Sequence, residues 1–245
     1  MKKALLFVLL AAGAASVHAQ GLKGLLKKVT GDSAVNQVIG SKGKMGLSND
    51  EIINGLKEAL NVGTGKGTQK LAAVDGFFKD AAVKILMPEE AKKVEQKLRS
   101  IGLGKQVDNA ILSMNRAAED AAKSAAPIFL NAIKGITIQD GLGILRGGDF
   151  AATNYLKGRT VSQLTDAFRP VIEQSLQKVN ATKYWNTVFS TYNTFSREKV
   201  NTDLVAYVTE KSLAGIFYQV GLEEQKIRKD PVARTTDLLK KVFSN

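Results

Sequence analysis

Cysteine is absent from the 245 residues, and histidine occurs once, as His18. The first absence excludes disulfides and every reaction or metal site that needs a thiolate. The second is made sharper by position, because His18 falls in a leader that export would remove. Imidazole is the commonest general base and, with thiolate, the usual ligand of zinc and copper. The chain beyond the leader is therefore expected to hold no metal and no cofactor. Proline is also scarce, with four residues, so little interrupts a helix. Past the N-terminus, no apolar run approaches the roughly 18 residues that a membrane span requires.

What is present begins with that leader. Lys2 and Lys3 form a short positive start, Ala4–Ala12 a brief apolar stretch, and Val17-His18-Ala19 a small-x-small junction. This order predicts a signal peptide over 1–19, cleaved after Ala19 to leave Gln20. No cysteine stands at the junction, so a lipoprotein is excluded and a soluble periplasmic protein is expected. Losing Lys2 and Lys3 lowers the formal charge from +12 to +10. An exported chain with that surplus is drawn to anionic envelope components, a membrane surface or a protein partner. Nucleic acid, the other usual partner of a basic chain, is not expected, since no binding motif occurs.

Residues 20–47 read as a basic arm followed by a flexible linker. In "GLKGLLKKV", Leu22, Leu25, Leu26 and Val29 recur at i, i+3, i+4 and i+7, with Lys23, Lys27 and Lys28 elsewhere on the wheel. Leu22, Lys23, Leu25, Leu26, Lys27 and Lys28 are thus candidates for contact with an anionic membrane surface. A frayed or docked arm is the plainer alternative, because isolated helices below about 12 residues are marginal. "GSKGKMGL" at 40–47 is the linker.

From residue 48 onward, apolar spacing predicts one all-α domain, a multi-helix bundle over 48–245 with at most one very short extended segment near 83–87. Ser48 and Glu51 form a capping box ahead of Ile52, Ile53, Leu56, Ala59 and Leu60. "GTGKGTQ" should weaken that helix, at about 1 kcal/mol per glycine. Asp75-Gly76 is a turn. Met87 is biased away from helix by Pro88, which suits the first position of a helix ending near Ser100. A long helix is expected over about 104–134, bent at Pro127. In "TKYWNTVFSTYNTF", Trp185, Val188, Phe189 and Tyr192 form a core-facing stripe. The last long helix starts near Asn201 or Thr202, and a short capped one closes the chain.

"TIQDGLGILRGGDFAATNYLKGRT" asks whether its glycines cradle phosphate. No strand precedes them, and neither G-x-G-x-x-G nor a Gly-Lys-Ser/Thr loop is completed. They read as punctuation. Thr137 with Asp140 opens a helix, Gly147 is placed as a left-handed cap, and Asp149 caps the next. Gly158 ends that helix, and Thr160 with Gln163 starts another.

"DNAILSMNRAAEDAA", "LRGGDFAATNYLKGRT", "AFRPVIEQSLQKV", "ATKYWN" and "IRKDPVARTTDLLKKVF" together resemble the bacterial family catalogued as domain of unknown function 4197. The resemblance runs from about residue 48 to the end and departs at "GTGKGTQ", which is unusually rich in glycine. It implies an exported, largely helical protein and brings no catalytic residues.

The same blocks hold polar side chains that a plain bundle does not need. Asn115, Arg116 and Glu119 lie within one turn; Asp149, Tyr155, Arg169, Lys183 and Tyr184 come from other helices. If they converge they form a structural network or a polar pocket for a ligand. No catalytic residue is singled out. The leading expectation is a non-enzymatic binding or structural module of the cell envelope. The alternative is a histidine-independent hydrolase acting on envelope material through carboxylates or a Ser/Lys pair, although no G-x-S-x-G motif occurs.

Overall fold

The computed structural model describes residues 47–178, 181, 182, 185, 189, 193, 194 and 203–243. The arm residues Leu22 to Lys28, and Lys183, Tyr184, Val188, Tyr192, Asn201 and Thr202, lie outside the described residues. Eight bounded α-helices are described: α1 (Asn49–Ala72), α2 (Lys92–Ser100), α3 (Gly104–Ala122), α4 (Ala125–Lys134), α5 (Ile138–Arg146), α6 (Ala151–Lys178), α7 (Leu204–Lys229) and α8 (Asp237–Phe243). Among the described residues there is no strand, and the all-α bundle expected from the sequence is what forms. No single described helix is long and apolar enough to cross a membrane.

α6 and α7 carry the packing. On α6, Ala152, Leu156, Thr160, Leu164, Phe168, Ile172 and Leu176 are buried at every fourth position. Each step of four advances about 40° round a 3.6-residue helix. The buried stripe therefore winds, meeting α5, α7, α4 and α3 along its length. α7 lies against α6, α1 and α3 and is buried on most of its circumference, Val208, Ile216, Phe217 and Val220 among the contacts. Phe129 meets Phe217 edge-on at 5.9 Å, joining α4 to α7. Trp185 and Phe189 are both buried, as the aromatic stripe required.

Both leading capping boxes form. Ser48 and Glu51 exchange hydrogen bonds at the start of α1, and Thr137 and Asp140 do so at the start of α5. Several other expectations are corrected. "GTGKGTQ" does not break α1, which runs unbroken for 24 residues. There Gly63 and Gly67 face α7, where an added methyl would touch Glu223 Cβ at 3.5 Å and Gln219 Cγ at 3.4 Å. The absent side chains let α1 and α7 approach closely, and that contact offsets the propensity cost.

The 104–134 segment is two helices rather than one bent helix. The chain turns at Lys123 and Ser124, so Pro127 falls in the first turn of α4, where a backbone N–H has no intrahelical partner to lose. Gly158 and Thr160 do not separate two helices either, since α6 is continuous over 28 residues. The Thr160 hydroxyl donates to the Leu156 carbonyl at 2.7 Å instead of capping. Thr64, Thr68, Thr209 and Ser212 do the same one turn back, which is how hydroxyls are tolerated inside this core. Gly147 is extended (φ −75°, ψ 171°), not left-handed. Pro88 precedes a 3-10 turn at Glu89–Ala91 rather than opening α2 directly.

Asp149 does not cap α6. Its carboxylate pairs with Lys229 of α7. The cap is supplied by Glu224, whose carboxylate accepts from the N–H groups of Ala152 (3.0 Å) and Thr153 (2.8 Å) and from the Thr153 hydroxyl (2.7 Å). Arg228 neutralises Glu224 at 2.8 Å and also donates to the Ile144 carbonyl at the end of α5. One buried ion pair thus closes the junction of three helices.

Candidate functional site

After α1 the chain cannot continue as helix. It turns back through Asp75, at φ 69°, and Gly76. A methyl on Gly76 would lie 2.3 Å from the Lys70 carbonyl oxygen, so only glycine fits. Phe77 then drops into the core against Gly215, and the strand-like piece 84–88 follows.

Three sequence candidates hold this excursion in place. Glu119 accepts from the N–H groups of Phe77 (3.1 Å) and Phe78 (3.2 Å) and pairs with Arg116 at 2.6 Å. Arg116 reaches on to Asp75 at 2.7 Å, and Lys79 holds the other Asp75 oxygen at 2.8 Å. Hydrogen bonds from Lys79, then Arg116, keep the Asp75 carboxyl below the usual aspartate range. Those from Glu119 and Asp75 raise the Arg116 guanidinium. Asn115, with none of its surface exposed, accepts from the Ile85 N–H and donates to the Ile85 carbonyl, both at 2.8 Å. An extended residue points both groups the same way, so one carboxamide substitutes for a neighbouring strand.

The remaining described candidates, Asp149, Tyr155 and Arg169, do not join this cluster. Asp149 pairs with Lys229 at the surface. Tyr155 donates to Asp140 at 3.3 Å, and Arg169 lies 3.4 Å from Asp203. The structure therefore divides the set into one clamp and several separate surface contacts. The clamp itself is filled by its own members.

What the clamp builds is a groove. The segment 82–90 stands off from α7, and between them lies an open cavity of about 830 Å³. Leu86 (54% exposed) and Tyr218 (47% exposed) offer apolar surface to it, with Tyr207, Ala214, Gly215, Glu89, Glu90, Glu210 and Lys211 also along its walls. The Tyr207 hydroxyl donates to the Leu86 carbonyl at 2.8 Å, tying the two walls together. Burial, then the carboxylates of Glu210, Glu90 and Glu89, push that hydroxyl up to about 12. Trp185 stacks on Tyr207 at 5.9 Å, and the Lys211 ammonium sits 5.6 Å above the same ring.

Sequence reasoning missed this wall. A signal was there: Tyr207, Lys211, Ala214 and Tyr218 recur at i, i+4, i+7 and i+11. This second stripe runs beside the apolar face of Leu213, Ile216, Phe217 and Val220. Two tyrosines on the less buried side of a long helix are surface to be accounted for.

Among the described residues, fold and groove define a helical bundle with one long excursion of irregular backbone, pinned by α3 and facing α7 across the groove. The chain belongs to the family described as protein of unknown function (DUF4197), whose model matches residues 46–244. No curated protein and no solved structure matches it.

Proposed function

We propose that the chain is an exported, non-enzymatic binding module of the bacterial cell envelope, and that its ligand lies in the groove between residues 82–90 and α7. The observation that carries the reading is the exposure of Leu86 and Tyr218 on facing walls of a cavity of about 830 Å³. Apolar surface presented inside a concavity is a common mark of a binding site. Three carboxylates beside that surface favour a protein partner over an anionic envelope component. The leader and the surplus of positive charge support export and an envelope setting. The hydrolase alternative gains nothing from the enclosed acids, because Glu119 and Glu224 are engaged by backbone N–H groups and arginines.

The test places a photo-crosslinking residue at Leu86, at Tyr218 or, as a control, at the exposed Val161 of α6, in cells producing the full chain. Adducts confined to the first two positions support the reading. Equal labelling at Val161, or none at the groove, overturns it. N-terminal sequencing of the same material should find Gln20.

A further inference from the structure

The irregular segment leaves main-chain groups unmatched on its groove side. With the Ile85 N–H and carbonyl both turned to Asn115, the neighbouring peptide groups face the other way. On that side the Leu86 carbonyl accepts from Tyr207, whereas the Lys84 carbonyl and the Leu86 N–H have no partner among the described residues. Lys84, Ile85 and Leu86 all line the cavity. A carbonyl and an N–H separated by one residue match the pair that a parallel strand uses to dock a single residue of its neighbour.

We propose that the groove takes an extended peptide of a partner protein by strand addition to Lys84–Leu86, one in which apolar residues alternate with lysine or arginine. This rests on the groove being the binding site. Main-chain bonds would fix the peptide's direction, Leu86 and Tyr218 would receive its apolar side chains, and Glu89, Glu90 and Glu210 would meet its cations. The lysines present leave room for that. Lys84 is held over the Phe78 ring at 4.1 Å, and Lys211 over Tyr207. Glu89 does carry Lys92 at 2.7 Å and Glu210 lies 3.8 Å from the Lys211 ammonium, so an incoming cation would share those two carboxylates.

The probe is the blocked heptapeptide Lys-Val-Lys-Leu-Lys-Val-Lys, titrated into the protein lacking residues 1–19 and followed calorimetrically and by the fluorescence of Trp185, the only tryptophan. Two forms N-methylated on alternate amides block one peptide edge each. The expected result is that one methylated form, but not the other, binds about tenfold more weakly, roughly the loss of one good hydrogen bond. Leu86→Pro, which deletes the N–H, should weaken the parent peptide by a similar factor. Glu89→Gln, Glu90→Gln and Glu210→Gln combined should lower affinity and flatten its salt dependence. If Leu86→Pro does not fold, the methylated peptides decide. Equal binding of both methylated forms and the parent, or no binding of the parent, overturns strand addition. The crosslinking result at Leu86 and Tyr218 would stand apart from either outcome.

Discussion

The carboxamide of Asn115 closes a two-point bond with the backbone of Ile85, 30 residues earlier in the chain. Its Nδ2 also donates to the Ile111 carbonyl at 2.7 Å, so both amide hydrogens have a fixed use. Asn115→Ala should leave a buried N–H and carbonyl unpaired and cost about 2–4 kcal/mol. Urea denaturation measures the loss, and hydrogen exchange should show the Ile85 amide opening well before the rest of the core. A loss below about 0.5 kcal/mol would mean that segment 84–88 is held by packing alone.

Glu224, not Asp149, governs the start of α6. Removing its side chain strips two backbone donors of their acceptor and leaves the largely buried Arg228 without a carboxylate. Glu224→Ala is expected to cost about 3 kcal/mol, whereas Asp149→Ala should stay within about 0.5 kcal/mol. Chemical denaturation of the two variants side by side checks the order. Equal effects would place the cap back on the local residue.

Glycines divide by what surrounds them. Nothing lies within 4 Å of a methyl built on Gly158 in the middle of α6, so Gly158→Ala should stabilise by about 0.5–1 kcal/mol. A methyl on Gly215 would meet the Phe77 ring at 2.6 Å, and Gly215→Ala should destabilise by about 1–3 kcal/mol. Thermal melts of both variants test the contrast.

Acid should loosen the 73–83 turn first. Asp75 and Asp80 are both held below the usual aspartate range, Asp75 by hydrogen bonds from Lys79 and Arg116, Asp80 by that from Lys70. Their folded-state values are depressed, so their contribution is complete above the ordinary aspartate value of about 3.9 and is lost as pH falls through the lower folded values. Exchange mass spectrometry on a peptide spanning 73–83 should show opening below about pH 4 in the wild type. In Asp75→Asn with Asp80→Asn the segment should already be looser at neutral pH and change little on acidification.

Much of the helix pattern was legible because its signals are local. Ser48 with Glu51 and Thr137 with Asp140 satisfy donors within one turn, and the structure uses both. Thr160 with Gln163 carries the same spelling and fails, because the side chain is buried and its hydroxyl reaches the previous turn. No short window distinguishes these cases; burial does. Gly63 and Gly67 misled for the same reason, since a helical glycine is costly until a second helix lies across it. Among the candidate polar residues, proximity in sequence identified the Asn115, Arg116 and Glu119 cluster. Their backbone partners, and the groove those partners create, depend on the path of the chain between α1 and α2. Tyr207 and Tyr218 were readable as a stripe, but its meaning required knowing what stands opposite.

The carboxylate that finishes the first turn of α6 sits 72 residues downstream of it. A nascent chain that has not yet delivered Glu224 therefore holds a long helix with an unfinished beginning. The start of α6 thus waits on a side chain of α7, so that junction closes only after most of the chain has been made.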